Sequence, residues 1–148
     1  MNPKDRIGSA KVPLDLFPST AIAVGAMAML EGACKYGRNN WRVTPIQATE
    51  YLNALGRHVH LWKEGERSCP KSGVHHLGHA LACLALIVDA EYAGTLIDDR
   101  PYQGGFVRLM KELEPDVARI RAEYADRNPK HYTRQTQGWS DYPGQRLK

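Results

Sequence analysis

The sequence of 148 residues has few cysteines and no long apolar run. Its three cysteines form no CxxC pair, which argues against a disulfide framework and against a cysteine-only zinc site. The longest apolar stretch, residues 77–88, is shorter than the roughly 20 residues that span a bilayer. The first residues also lack the apolar segment of a signal peptide. We therefore expect a cytoplasmic protein with no membrane partner.

Signatures of whole protein classes are missing as well. The sequence has no strand-like alternation of useful length, no internal repeat and no glycine-rich phosphate loop. It also lacks the signatures of RNA-recognition, KH, zinc-finger and helix-turn-helix domains. The net charge of +4 is modest and suits small phosphorylated ligands better than a polynucleotide. Nucleic acid is therefore the less favoured partner.

Helical patterning dominates the first half of the chain. The apolar stretch from residue 18 predicts a helix that ends at Gly37, and it should be central because it is apolar almost all round. A second helix is predicted over residues 45–64, with Thr44 as its N-cap and Pro45 in its first position.

Two further helices follow. The third is predicted over residues 74–93 with Ser72 as its N-cap, and the fourth over residues 106–125, where Pro115 should mark a kink or a division. The short connection between the second and third helices implies that they are antiparallel neighbours. The predicted fold class is all-α, an antiparallel bundle of about four helices.

The predicted bundle is flanked by two irregular segments. Residues 1–17 form an extended lead-in, residues 18–125 the helical catalytic domain, and residues 126–148 an irregular tail. The aromatic residues of the tail favour a segment that wraps a neighbouring subunit. We therefore expect a homo-oligomer, either a dimer or a tetramer.

One face of the second helix carries polar side chains. Asn53, Arg57, His60 and Glu64 recur at spacings of four, three and four, which places them together. Arg57 suits a phosphate because its guanidinium is always charged and can hold two oxygens at once. The alternative is a surface network between Arg57 and Glu64.

Histidines concentrate at the start of the third helix. His76 and His79 form an HxxH pair, and His75 with His79 is the competing pair. The connector before this helix adds Glu64 and Glu66, which the predicted hairpin would bring close. Histidines and carboxylates together can bind a metal or a phosphate ligand. The alternative is that these side chains only cap and pack the helix ends.

Cations and aromatic residues follow the first helix. Lys35, Arg38 and Arg42 lie within eight residues of one another, beside Tyr36 and Trp41. Such a group suits a nucleotide, with a ring on the base and a cation on the phosphates. The alternative is a basic turn in which Trp41 anchors the loop to the core.

Four motifs occur in order over residues 11–92: PLDLFP, EGACKYGRNNWR, YLNALGRHVHLWKEGE and SGVHHLGHA. Together they resemble the phage dATP/dGTP diphosphohydrolase N-terminal domain, a family among the MazG-like all-α nucleoside triphosphate pyrophosphatases. Within it the pattern is most similar to the phage MazZ enzymes, which make dGMP from dGTP for 2-aminoadenine synthesis. The ExxE and ExxD pairs of broader MazG-like enzymes are not obvious in this chain.

The resemblance implies a hydrolase that uses Mg²⁺ or Mn²⁺ and converts a purine deoxynucleoside triphosphate to its monophosphate. The expected substrate is dGTP, with dATP or GTP as alternatives, and the product would feed modified-purine nucleotide synthesis in a phage. The rival interpretations are a non-catalytic module that binds nucleotide or nucleic acid, and a structural interaction protein.

The resemblance and the side-chain chemistry together assign three roles. The catalytic residues are Glu66, Arg57 and His58. The substrate-binding residues are Lys35, Tyr36, Arg38, Asn40, Trp41 and Asn53. The metal ligands are Glu64, Glu66, His76 and His79. If the site lies deeper in the bundle, the carboxylates of Glu31 and Asp89 are the alternative metal ligands.

Overall fold

The computed structural model describes residues 1–134 and confirms the all-α class. Its helices are α1 (Pro3–Gly8), α2 (Ser19–Tyr36), α3 (Ala48–Lys63), α4 (His76–Ala93) and α5 (Phe106–Glu123). Short 3-10 turns occupy Leu14–Leu16 and Asn40–Arg42, and two short strands, β1 (Ile46–Gln47) and β2 (Leu96–Ile97), pair in parallel. None of the helices in this part of the chain is long and apolar enough to cross a membrane.

The chain divides into two compact units, Met1–Asp99 and Arg100–Lys148. The boundary falls inside the predicted domain of residues 18–125, and α5 belongs to the second unit. Most of the predicted subunit-wrapping tail, with Trp139 and Tyr142, lies outside the described residues.

Helix α4 is the centre of the first unit and packs against both α2 and α3. Its buried residues are small, which allows close approach: they include Gly78, Ala80, Ala82, Cys83 and Ala90. At Gly78 a Cβ atom would lie only 2.5 Å from the carbonyl oxygen of Val24 on α2. The absence of a side chain at Gly78 therefore sets the separation of α2 and α4.

The predicted ends of α2 and α4 are confirmed, but α3 begins later than expected. Gly37 and Gly94 end their helices with φ angles of 87° and 72°. The prediction that α3 starts at Pro45 was wrong. Ile46 is instead paired in β1, and its N–H donates a hydrogen bond to Thr95 O at 3.0 Å. This tertiary pairing overrides the local start signal at Thr44.

Helix α4 also begins two residues later than predicted. The N-cap is His75, whose Nδ1 accepts a hydrogen bond from Leu77 N at 3.0 Å. Ser72, predicted as the N-cap, accepts instead from Val74 N at 3.2 Å. An antiparallel bridge between Ser68 and His75 holds the connector against the helix start. Ser72 is thereby left in the turn, where its hydroxyl faces α4.

Two other expectations need correction. Residues 3–8 of the predicted extended lead-in are helical, because Pro3 occupies the first helical position and the Asn2 side chain accepts from Lys4 N at 2.9 Å. Helix α5 is not divided by Pro115, which lies inside one continuous helix. No residue of α5 is buried.

Candidate functional site

Three histidines meet at the N-terminal end of α4. His58 comes from α3, and His76 and His79 come from the first turn of α4. The rings of His58 and His79 stack with centroids 4.5 Å apart and an interplanar angle of 13°. The predicted α3–α4 hairpin is therefore confirmed as the frame that brings these side chains together.

A chain of hydrogen bonds runs through the buried member of this group. His76 is only 1% exposed, and its Nδ1 lies 2.8 Å from Nδ1 of His58. Its Nε2 lies 2.6 Å from Oε1 of Glu66 in the connector. The connector is tied down here, because His76 N donates to Arg67 O at 2.9 Å. We refer to Glu66, His76 and His58 as the relay.

The proton positions in the relay follow from what each group can do. The Glu66 carboxylate only accepts, so Nε2 of His76 donates to it, and in that tautomer Nδ1 of His76 accepts. Nδ1 of His58 must then donate, which leaves Nε2 of His58 with a lone pair. The relay therefore presents one histidine nitrogen that can accept a proton.

A second branch joins the histidines to α2. The Nε2 atom of His79 lies 3.0 Å from the Ser72 hydroxyl and 3.6 Å from Oε2 of Glu31. Glu31 also pairs with Lys35 one turn along α2. The hydrogen bond from Lys35 lowers the pKa of Glu31, and Glu31 in turn raises the pKa of Lys35. The site thus combines bases, carboxylates and a cation.

The surroundings keep the accessible histidines neutral. Burial is the main cause that lowers the pKa of His58, with further lowering from His79, His76 and Arg57. Burial likewise lowers the pKa of His79. Because both pKa values lie below their ordinary range, both rings are unprotonated at neutral pH and can act as bases.

The donors do not form a ready-made metal cage. Within residues 1–134, no three His, Cys, Asp or Glu side chains are placed to hold one ion. His76 already uses both ring nitrogens, and Glu64 lies exposed at the C-cap of α3. A resident metal held by several protein ligands therefore does not fit. The carboxylates of Glu31 and Glu66 suit a Mg²⁺ ion that enters with a nucleotide, since such ions need only one or two protein carboxylates.

The other end of α4 holds the loop after α2. The carboxylate of Asp89 accepts from Trp41 Nε1 at 2.5 Å and binds Arg42 through two hydrogen bonds of 2.8 Å. These bonds, that from Arg42 first, lower the pKa of Asp89 to about 2. Trp41 thus anchors the loop, which was the alternative considered from the sequence, and its contact with substrate stays a prediction.

An apolar groove of about 660 Å³ lies between α2, α4 and this loop. Arg38 and Asn39 are the polar residues in its lining, and Trp41 and Phe17 also line it. Arg38 therefore lies beside apolar surface, a setting that could accept a flat ring with a phosphate near the rim.

The remaining predicted residues lie around these features without a described contact to the relay. Arg57 is exposed on α3, close enough to lower the pKa of His58, and Asn53 is exposed one turn earlier. Tyr36 is 71% exposed at the end of α2. Asn40 opens a 3-10 turn and its carbonyl accepts from Thr44 N at 2.8 Å. Their roles stay predictions.

Two members of the site were underestimated from the sequence. Glu31 was only a reserve ligand, although its four-residue spacing from Lys35 marks a helix ion pair. Ser72 was assigned only to capping, and its bond to His79 depends on the turn between α3 and α4. No sequence signal fixes that turn closely enough to predict the bond.

The candidate site lies in the part of the chain that a family model matches. A family model described as dATP/dGTP diphosphohydrolase, N-terminal, matches residues 1–100, which contain the relay, the second branch and the anchored loop. Comparison with curated proteins and with solved structures gives no significant match. The match spans more than half of the chain, and the chain therefore belongs to the dATP/dGTP diphosphohydrolase N-terminal family.

Proposed function

We propose that this chain hydrolyses a purine deoxynucleoside triphosphate to its monophosphate, with dGTP as the first substrate to test and dATP or GTP as alternatives. The observation that carries the proposal is the relay, which ends in an unprotonated His58 nitrogen beside the Glu31–Lys35 pair. The family description, which names dATP and dGTP, supports the substrate class.

In the proposed reaction His58 is the general base. As the oxygen of a water molecule bonds to phosphorus, its proton passes to Nε2 of His58. The anhydride bond between two phosphates breaks, and the leaving phosphate group takes the electron pair. His76 is a positioning residue, because it fixes the tautomer of His58 and links the developing imidazolium to Glu66. Lys35 and Arg57 offset the charge that builds on the phosphates.

A divalent cation belongs to the proposed substrate complex. Bound to the triphosphate, Mg²⁺ or Mn²⁺ would neutralise phosphate charge and polarise the phosphoryl oxygens. Glu66 and Glu31 are the carboxylates best placed to meet it, since they flank the histidines on two sides. Glu64, predicted as a ligand from the sequence, is the weaker candidate because, within residues 1–134, no described contact joins its carboxylate to the histidines, whereas Glu66 bonds to His76.

The proposal assigns the nucleoside to the loop side of the site. Tyr36, Arg38, Asn40 and Trp41 are the candidate contacts to base and sugar, and Asn53 is the candidate on α3. Support comes from Arg38 and Trp41, which share the groove between α2 and α4. A place in phage 2-aminoadenine synthesis, a close relationship to MazZ and a host-cytoplasm location remain part of the proposal.

The direct experiment is hydrolysis of each purine triphosphate with Mg²⁺ or Mn²⁺, with the nucleotide products separated by chromatography. We expect monophosphate from dGTP, and less from Glu66→Gln by about 100-fold. Glu50→Gln, an exposed carboxylate in the first turn of α3, is the matched control and should stay near the unmodified rate. Intact dGTP, dATP and GTP with both metals would rule the proposal out.

The rival function is a non-catalytic module that binds nucleotide. The contacts of Arg42 weigh against it, because this cation is already paired with Asp89 within the chain. Calorimetric titration with dGTP in EDTA distinguishes the two: tight binding without metal, together with no turnover when metal is added, would favour the rival.

A further inference from the structure

Helix α5 carries a continuous apolar seam. Its members are separated alternately by four and three residues, the spacing of the a and d positions of a heptad repeat. They are Phe106, Met110, Leu113, Val117, Ile120 and Tyr124. All six are 43–70% exposed, and α5 has no buried residue. An exposed seam of this length indicates a surface that another helix covers.

The flanks of the seam differ between its two halves. In the first turn Val107 and Leu109 widen the apolar face and are 60% and 48% exposed. In the second half the e flank carries Arg121 and the g flank carries Asp116. Pro115 occupies the f position, opposite the seam, so its missing N–H does not face the partner.

We propose that α5 pairs with α5 of a second copy of this chain, parallel and in register. In that arrangement Asp116 faces Arg121 of the partner subunit, and symmetry repeats the pair. The apolar first turns of the two helices also lie side by side, where Phe106 and Met110 meet their equivalents, while Leu109 faces Glu114 of the partner subunit.

The antiparallel pairing is disfavoured by the same flanks. When the seam residues are matched in that direction, Asp116 meets the partner subunit's Asp116 and Glu114 meets the partner subunit's Glu114. Leu109 lies beside a glutamate in either direction, so it does not distinguish the two arrangements. Arg119 offsets part of the charge on Asp116 within one chain, at 3.5 Å, but it is exposed and equally available in either arrangement. The charged flanks therefore favour the parallel dimer.

The seam is short, so the dimer should depend on concentration. Helix α5 has 18 residues, a length of about 27 Å. Two and a half heptads bury limited apolar area, and we expect a dissociation constant on the order of micromolar. The dimer can be tested independently of the hydrolase reaction, because the test measures molecular mass and not turnover.

The first test is sedimentation velocity of the full chain over a wide concentration range. Leu113→Glu places a charge in the middle of the seam and should weaken the dimer at least about tenfold. Ala118→Glu, on the outward face of the same helix, is the matched control and should leave the dimer unchanged. A monomer at every concentration, or a dimer that is indifferent to Leu113→Glu, would overturn the proposal.

The second test measures whether the two α5 helices are parallel or antiparallel, and it does not require a variant that weakens the dimer. Under mild oxidation, Leu113→Cys in a parallel dimer should link to the same position of the second chain, because equivalent d positions face each other. The unmodified chain sets the background from its own cysteines, and Ala118→Cys is the control on the outward face. Cross-linking at position 113 no greater than at position 118 would contradict the parallel seam.

Discussion

The two ends of α4 both hold polar side chains against other parts of the chain, but in different ways. At the N-terminal end His76 and His79 share hydrogen bonds with groups that can gain or lose protons. At the C-terminal end Asp89 accepts from Trp41 and Arg42, both of which only donate. The first end can move protons, and the second can only hold a loop.

The difference lies in the kind of partner and not in the number of bonds. A histidine between a carboxylate and a second histidine can take up a proton at its accepting nitrogen and keep both hydrogen-bond partners. A carboxylate between an indole and a guanidinium has no such freedom, and its pKa of about 2 reflects that fixed role. Asp89 is therefore engaged with the loop, whereas Glu31 lies beside His79, and a role of either carboxylate as a metal ligand stays a prediction.

The largest effect should come from removing the proposed base. His58→Ala should lower kcat for dGTP hydrolysis about 10²- to 10⁴-fold, because no other group in the relay presents a lone pair to water. His60→Ala, two residues away on the same helix and exposed, is the matched control. Steady-state rates with both variants measure the effect, and equal rates would show that the N-terminal end of α4 is not the reacting end.

A change at Gly78 should disturb stability and chemistry together. A Cβ at this position would lie 2.5 Å from Val24 O, so Gly78→Ala forces α2 away from α4 and Glu31 away from His79. We expect the free energy of unfolding to fall by about 1–3 kcal/mol. Denaturant titration measures it.

The control for Gly78→Ala is Gly56→Ala on α3, where a Cβ meets no atom within 4 Å. That change should stabilise α3 by up to about 1 kcal/mol, because alanine is the better helix former. If both alanine variants gave the same stability, close approach at Gly78 would not set the separation of α2 and α4.

The smallest effect on activity should follow from Asp89→Asn. The variant should lose thermal stability at neutral pH, because Arg42 loses its charged partner, while kcat stays near the unmodified value. The pKa of Asp89 is lowered on folding, so its contribution is present above the ordinary carboxyl pKa of about 4 and is lost as the pH falls toward about 2.

Thermal unfolding of the unmodified chain and of Asp89→Asn across this pH range tests whether the contribution of Asp89 to stability falls as the pH falls. The difference between their unfolding temperatures should shrink as the pH falls from about 4 toward about 2, and the unfolding temperature of the variant should depend less on pH. A loss of kcat in Asp89→Asn as large as that in His58→Ala would erase the distinction between the two ends of α4.

Local signals predicted the parts of the fold that local chemistry decides. Gly37 and Gly94 marked helix ends correctly because a left-handed or open φ is needed where a helix stops. Thr44 and Pro45 misled because Ile46 pairs with Leu96, a contact between residues far apart in sequence. No pattern near position 46 records that distant partner.

The site was predicted in composition but not in arrangement. The sequence placed Glu66, His76 and His79 near one another, and the hairpin does bring them together. Burial of His76 between His58 and Glu66 was not foreseeable, because it depends on which face of α4 meets α3. In the structure His76 lies at the centre of the relay with both ring nitrogens hydrogen-bonded, and its role as a metal ligand stays a prediction.

The short pairing of β1 with β2 has a consequence for how the site could be taken apart. It brings together the two ends of the segment from Ile46 to Leu96, which contains α3, α4 and the whole relay. A segment with adjacent ends can be inserted into a loop of another protein without forcing the two ends of that loop apart. Glu31 and Lys35 would remain behind on α2. A graft of this hairpin would carry the relay alone and so separate proton transfer from the contribution of the carboxylate–lysine pair.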